Sequence, residues 1–183
     1  TDMAVPILSS AVLPAMRDIP VPAAAYSSSM YTFDELEDIP WENKIAGLYW
    51  AGKTTGSIQS MTSAWRQHHR QRFVKLANEV ASQPHLYLEN SDHGTAWQQH
   101  NSIVMDGPLY TVYFTEIVQC EDEITYEAIS SEFEINEPDE RAESFRYTLN
   151  FDLDGNGHSG RFYRLLNSRS LPLKQTVFRA WQD

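Results

Sequence analysis

Nine residues in two stretches carry groups suited to holding a phosphate: Gly52, Lys53, Thr54 and Thr55 in one, and Gly157, Ser159, Arg161, Ser170 and Lys174 in the other. A glycine turn brings backbone N–H groups close to an anion, hydroxyls donate to its oxygens, and an ammonium or guanidinium adds charge. Arg161 is the strongest of the set, because its planar fork is permanently charged and matches two oxygens at once. An arginine paired with an acidic surface neighbour would fit Arg161 equally well, and Lys174 also reads as an ordinary edge-strand lysine. Neither stretch supplies a general acid or base, so the catalytic residue is unassigned.

Two strand–turn–helix units have to position these groups. Phe145, Tyr147, Leu149, Phe151 and Leu153 alternate with Arg146, Thr148, Asn150 and Asp152, the period of a strand with one apolar face and one partly covered face. Asp154-Gly155-Asn156-Gly157 follows as a turn with positive φ available at either glycine. Ser159 is the expected N-cap of a helix carrying Phe162, Leu165 and Leu166, and a second strand near Ser170–Lys174 closes the unit. Upstream, Ile45–Ala51 is an unbroken apolar run suited to a buried parallel strand, and it leads into Gly52–Gly56. A helix should follow, with Ile58, Met61, Trp65, His69, Phe73, Leu76 and Val80 along its buried face and Arg66, Arg70 and Lys75 off it. His69 on that face is expected to be a hydrogen-bonded, partly buried histidine, and His68 to be solvated.

The remaining chain gives strands at His85–Glu89 and Leu109–Ile117, a polar loop at Asn90–Gly107, and an acidic helix or excursion within Glu121–Glu143. His93 and His100 lack the spacing of helical metal ligands, so no metal site is expected. Residues 1–40, with Pro6, Pro14, Pro20, Pro22 and Pro40, read as a linker or the tail of a preceding domain. Asp18–Pro22 within them is an edge strand or an extended segment, and Ser27–Asp38 is a loop. Strands alternating with helices, each strand ending in a glycine turn, predict an α/β layer architecture over residues 41–183, with ligands bound beyond the carboxyl ends of the strands.

Two motifs imitate other chemistries. Gly47–Thr54 matches the P-loop expression letter for letter, but Leu48-Tyr49-Trp50 is strand material, and nothing before Gly47 supplies the strand that should precede the loop. Asp152-Leu-Asp154-Gly-Asn156-Gly157 opens like a calcium loop, yet Tyr163 stands where a bidentate glutamate is required.

The segment DLDGNGHSGRFYRLLNSRSLPLK (residues 152–174) resembles the C-terminal signature of the capsule-associated glycosyltransferases, glycosyltransferase family 90. PWENKIAGLYWAGKTTG (40–56), WRQHHRQRFVKLAN (65–78) and the Gln119-Cys120 pair resemble the same family in the same order. The resemblance spans roughly Asp18 to the end of the chain. It implies a Rossmann-like nucleotide-sugar-binding domain of a GT-B-like glycosyltransferase, incomplete here at its C-terminal end. It further implies a UDP-sugar donor of xylose or glucose, a glycan or protein hydroxyl acceptor, and residence in the Golgi or endoplasmic reticulum lumen. No cofactor beyond the UDP-sugar is implied. Ser159 and Arg161 match the family's Ser-X-Arg that contacts the UDP diphosphate, and Gly52 matches a second phosphate-side loop. That loop departs from the family pattern: Ala51 stands for its arginine and Lys53 for its serine. The family's catalytic aspartate comes from a preceding domain that no stretch here matches. A non-catalytic nucleotide-sugar-binding or scaffold module is the alternative.

Composition sets the outer bounds. At 183 residues and 42% hydrophobic, the chain is long enough for one ordinary domain. No apolar run approaches the ~20 residues of a membrane helix, and the first residues lack the basic region and cleavage pattern of a signal peptide. A single cysteine, Cys120, excludes an internal disulfide, and no Asn-X-Ser/Thr sequon is present. The net charge of −11 argues against nucleic acid as a partner. The charge is uneven: Glu116–Glu143 holds eleven acidic residues against Arg141 alone, whereas from Phe151 onward five basic residues face three acidic ones. An anionic ligand therefore suits the C-terminal third.

Overall fold

The structure, a computed structural model, describes residues 5–82, 84–91, 94–101 and 109–181. Its centre is a four-stranded, wholly parallel sheet in the order β6–β3–β7–β8. The strands are β3 (Ile45–Lys53), β6 (Tyr110–Glu116), β7 (Tyr147–Leu153) and β8 (Leu171–Gln175). Two short strands precede them, β1 (Leu8–Ser9) and β2 (Ile19–Pro20), paired parallel. An antiparallel hairpin of β4 (Pro84–Ser91) and β5 (Gly94–Asn101) lies between β3 and β6 in the chain. The helices are α1 (His69–Ser82), α2 (Glu123–Glu132) and α3 (Phe162–Asn167).

β3 is buried from Gly47 through Trp50, as its apolar run requires of a central parallel strand. From β3 the chain steps to one neighbour, β6, and then returns past β3 to add β7 and β8 on the other side. Where the direction of winding reverses, two adjacent strands send their following segments apart, and a crevice opens outside their carboxyl ends. That place here is between β3 and β7.

One face of the sheet holds the main core: Trp50, Val112, Phe114 and Leu153 meet Val74 and Ala77 of α1 and Ile129 of α2, with Trp65 and Phe133 beside them. Aromatic edges lock it together, Phe114 lying 5.2 Å from Phe133 and Trp50 6.0 Å from Phe73 between ring centroids. α2 is capped at its start by Asp122, whose carboxylate accepts the Thr125 N–H at 2.8 Å. The chain then passes Ile135 along the β6 edge and crosses the opposite face, where Asp139 accepts hydrogen bonds from the hydroxyls of Tyr49 and Tyr113.

The second face is covered by α3 and by residues preceding β3. Tyr26 packs edge-on against Tyr163, Phe33 against Phe145, and the Tyr31 ring against Gly160, where a Cβ would come within 2.7 Å of it. The anchor of this layer is a fully buried ion pair. Lys44 Nζ donates to Asp38 Oδ1 at 2.5 Å and to the Phe145 carbonyl, while Asp38 also accepts the backbone N–H groups of Ile39 and Arg169. Burial alone would raise the Asp38 carboxyl, but the Lys44 bond and the two amides outweigh it and hold the group below its ordinary value. The unfolded chain therefore takes up that proton first as pH falls. The contribution of Asp38 is complete above the usual aspartate value of about 3.9 and is lost as pH drops through the lower folded value. Thermal melts between pH 5 and 3 should accordingly show a shallower acid loss in Asp38→Asn than in the wild type; equal slopes would remove Asp38 from the acid sensitivity.

Several expectations are corrected. The helix expected from Ile58 begins only at His69; Ile58 and Met61 are 67% and 53% exposed, and the intervening chain forms a bridge from Gln59 to Cys120 and a 3-10 turn at Trp65–Gln67. The buried stripe of α1 is Arg70, Val74 and Ala77, so Arg70 is inside and Leu76 outside. His69 Nε2 donates to the Asp154 carbonyl at 2.7 Å, in line with the partly buried histidine expected. His68 is half-buried, not solvated, and burial followed by its neighbour His69 pushes its imidazole down. The polar face of β7 is covered as well as its apolar one: Asn150 and Asp152 are buried beneath the second layer, with Asn150 donating to the Ser144 carbonyl and Asp152 paired with Lys174. A 3-10 turn at Glu143–Arg146 replaces the first residues of that strand. The segment Asn90–Gly107 contains β5 where a loop was expected, and His93 lies outside the described residues. Ser27–Asp38 is irregular as expected apart from one 3-10 turn at Glu35–Glu37, a second ending at Ser27.

Candidate functional site

A crevice of about 530 Å³ opens at the carboxyl end of β3. Its floor is Tyr49, Ala51, Gly52 and Lys53, with Thr55 just beyond the strand. On the β7 side stand Arg70 from the first turn of α1 and Arg161 and Arg164 from the start of α3. On the β6 side stand Thr115 and the crossing segment Pro138–Arg141, and Met30 and Tyr31 lie at the rim.

Gly52 and Arg161 are in contact. Arg161 Nη1 donates to the Ala51 carbonyl at 2.8 Å, and a Cβ on Gly52 would lie 3.3 Å from Arg161 Nη2 and 3.0 Å from the Trp50 ring. A larger residue at position 52 would have to displace the Trp50 ring or the Arg161 guanidinium by a few tenths of an ångström.

Arg70 ties the two strand ends together. Its Nε donates to Asp154 O at 2.7 Å, Nη1 to Lys53 O at 2.7 Å and Nη2 to Leu153 O at 3.0 Å. All three partners are neutral carbonyls. Burial, and then the charge of Arg161, pull Arg70 down to about 10, against the opposing pull of Asp152 and Asp154. Arg164 lies over the Phe145 ring at 5.2 Å, is 8% exposed, and has an Nε without a partner among the described residues. It too is pulled down to about 10, first by burial and then by Arg161 and Arg141. Among the described residues, no carboxylate comes within ion-pair distance of Arg70, Arg161 or Arg164. Three guanidiniums that raise one another's free energy, held around one opening, constitute a local excess of positive charge in a protein of net charge −11.

Of the nine residues singled out in the sequence, Gly52, Lys53, Thr55 and Arg161 line this crevice. Lys53 is paired with Glu116, but both side chains are about half exposed, so that pair is weak and exchangeable. The other five lie outside its lining. Thr54 is 1% exposed; its hydroxyl donates to the Val118 carbonyl at 3.0 Å and accepts the Val118 N–H at 2.9 Å. Ser170 is buried and donates to the Tyr147 carbonyl. Lys174 pairs with Asp152 at 3.1 Å and sits over the Phe162 ring at 4.1 Å. A Cβ on Gly157 would meet only Ala11. Ser159 is buried and does not cap α3; the cap position belongs to Arg161, without a side-chain cap bond, and α3 has six residues. Neither Gly155 nor Gly157 adopts positive φ; at Gly155 space is tight, since a Cβ there would stand 3.0 Å from Thr55 Oγ1 and 3.2 Å from Arg70 Nη2. The positive groups at the crevice are thus side chains, and the expectation that a glycine turn and a helix start at Ser159 would present backbone N–H groups there is replaced by guanidiniums.

Neither look-alike motif survives. Gly47–Lys53 is strand throughout. Asp152 is committed to Lys174, and Asp154 Oδ2 accepts the Val177 N–H at 2.8 Å; no group of three or more potential metal ligands occurs among the described residues.

Fold and crevice together define an α/β protein with a guanidinium-walled opening at the carboxyl end of a parallel sheet. No helix among the described residues is long and apolar enough to cross a membrane. Compared with protein-family models, curated proteins and solved structures, the chain matches none.

Proposed function

We propose that the crevice holds the diphosphate of a nucleotide sugar, and that the chain supplies the nucleotide-diphosphate site of a UDP-sugar-dependent glycosyltransferase. The observation that carries this reading is the contact of Arg161 with Gly52 and Ala51, beside Arg70 and Arg164, at the carboxyl ends of neighbouring parallel strands. A diphosphate entering there meets fixed guanidinium forks and removes the mutual repulsion of the arginines. A parallel sheet whose winding reverses between β3 and β7 offers the kind of crevice that nucleotide-binding α/β domains use, which is compatible with one Rossmann-like domain of a GT-B-like enzyme. The resemblance to glycosyltransferase family 90 points the same way, with xylose or glucose as the sugar and a glycan or protein hydroxyl as acceptor in the Golgi or endoplasmic reticulum lumen.

In such a reaction the acceptor oxygen displaces the diphosphate at the anomeric carbon. Arg161, Arg164 and Lys53 stabilise the negative charge growing on the departing group, the preorganised electrostatic contribution that dominates many transfer reactions. The acceptor proton goes to a base outside the residues assigned here. Asp139, the one aspartate lining the crevice, already accepts two phenol hydroxyls, which favours as a second reading a binding or scaffold module that holds the nucleotide sugar without transferring it.

Calorimetric titration tests the site itself. UDP binds, UMP binds about tenfold more weakly because one charged contact set is lost, and uridine gives no heat. Absence of heat with UDP removes the proposal. Transfer of radiolabelled sugar to an acceptor separates the enzyme from the module.

A further inference from the structure

The two walls of the crevice carry opposite charge, and the acidic one is arranged around an unused acceptor. β3 is the floor between them. On the β6 side, the hydroxyls of Tyr49 (2.6 Å) and Tyr113 both converge on a single oxygen of Asp139, Oδ2. That pair of bonds fixes the carboxylate while its Oδ1 receives no hydrogen bond from any described residue. Burial, and then the bond to Asp139, raises both phenols well above their ordinary value, so they remain protonated donors throughout the neutral range. Glu140 follows in the same wall, exposed and without an ion pair among the described residues. The segment is held from behind by Arg141, bonded to both oxygens of Glu37 and to the Ser29 carbonyl. Across the floor stand Arg161 and Arg164, the latter 92% buried with an unpartnered Nε.

We propose that this acidic wall reads the sugar of the bound nucleotide sugar, accepting hydrogen bonds from a neutral hexose or pentose and rejecting a sugar that carries its own carboxylate. The inference rests on the nucleotide-sugar reading of the same crevice. With the diphosphate on the guanidinium wall, the sugar attached to it lies across the floor, within reach of Asp139 and Glu140. Sugar hydroxyls are donors and match a free carboxylate oxygen; a uronate at the same place sets like charges against each other, which is penalised far more than a missing hydrogen bond is. Asp139 and Glu140 are thus specificity-determining residues. The acids do not serve to neutralise the arginines, since among the described residues no ion pair joins Asp139 or Glu140 to Arg70, Arg161 or Arg164.

The experiment is titration of the full chain with UDP, UDP-glucose and UDP-glucuronate, repeated for Asp139→Asn and Glu140→Gln. In the wild type UDP-glucuronate binds at least about tenfold more weakly than UDP-glucose. Asp139→Asn, whose amide oxygen still accepts both phenols, narrows that gap to about threefold or less with UDP unchanged. Glu140→Gln, at an exposed position that leaves the fold undisturbed, shifts it in the same direction. UDP binding with equal affinity for the two sugars, or a gap that neither variant narrows, overturns the inference and leaves the diphosphate site standing. Failure of UDP itself to bind overturns both.

Discussion

Arg161→Ala lowers the affinity for UDP by about 10- to 150-fold while leaving the melting transition close to that of the wild type. The range corresponds to the ~1.5–3 kcal/mol carried by a charge-assisted hydrogen bond. The effect falls on the ligand because, among the described residues, the Arg161 side chain makes one hydrogen bond, to the Ala51 carbonyl, and its backbone contact with Leu165 is untouched by the substitution. Removal of the guanidinium also relieves the repulsion felt by Arg70 and Arg164, which offsets part of the lost contact with Ala51. Arg161→Lys should recover little, since an ammonium keeps the charge but cannot present two parallel donors to a diphosphate. Calorimetry on both variants, with circular dichroism melts as the folding control, decides the matter. Unchanged UDP affinity in Arg161→Ala would place the nucleotide elsewhere.

The largest effect on stability is expected at Lys44. Lys44→Ala leaves Asp38 buried with its main cationic partner gone and the Phe145 carbonyl without its donor. Loss of one member of a buried pair typically destabilises by ~3–5 kcal/mol, because the remaining charge can neither return to water nor find a substitute. Both side chains are wholly inaccessible, so no solvent screening softens the loss. The double variant Asp38→Leu/Lys44→Met tests the cause: hydrophobic replacement of both partners should recover most of the stability. Urea denaturation gives both numbers. A cost in Lys44→Ala below ~1 kcal/mol would mean that water or a rearranged backbone reaches Asp38.

What could be read from residues alone divides along physical lines. β3 was legible because a central parallel strand must be apolar on both faces, and Ile45–Ala51 is. β6 was legible for the same kind of reason, a β-rich apolar run, whereas α2 is only one of two readings of Glu121–Glu143 and that reading does not mark its start at Asp122. β5 was hidden because Gly94-Thr-Ala-Trp-Gln-Gln-His-Asn has no apolar face, and pairing with β4 alone makes it a strand. The apolar spacing from Ile58 onward was misleading, since residues three and four apart line up on a helix only if one forms, and the chain before His69 is tied to Gln119 and Glu121 by backbone bonds. β7 keeps its apolar Phe151 and Leu153 toward the core but is covered on its polar face as well, because Asn150 and Asp152 find internal partners that no local pattern reveals. At the crevice, Gly52 and Arg161 could be singled out from turn chemistry and charge, whereas the apolar spacing places Arg70 off the buried face of its helix and does not single out Arg164. Arg70 shares the i, i+4, i+7 stripe with Val74 and Ala77, a signal that was available and pointed inward. Tyr31 and Asp139 carry no local signal; only the long-range path of the chain brings them to the crevice.

The buckle formed by Arg70 has a kinetic implication. One guanidinium grips Lys53, Leu153 and Asp154 by their carbonyls, so the mouth of the crevice is set before any guest arrives. A guest then meets a rigid receptor and loses little free energy to ordering the protein. Its rate of capture is governed by diffusion and by the field of the arginines, and the strength of its hold shows in how slowly it leaves.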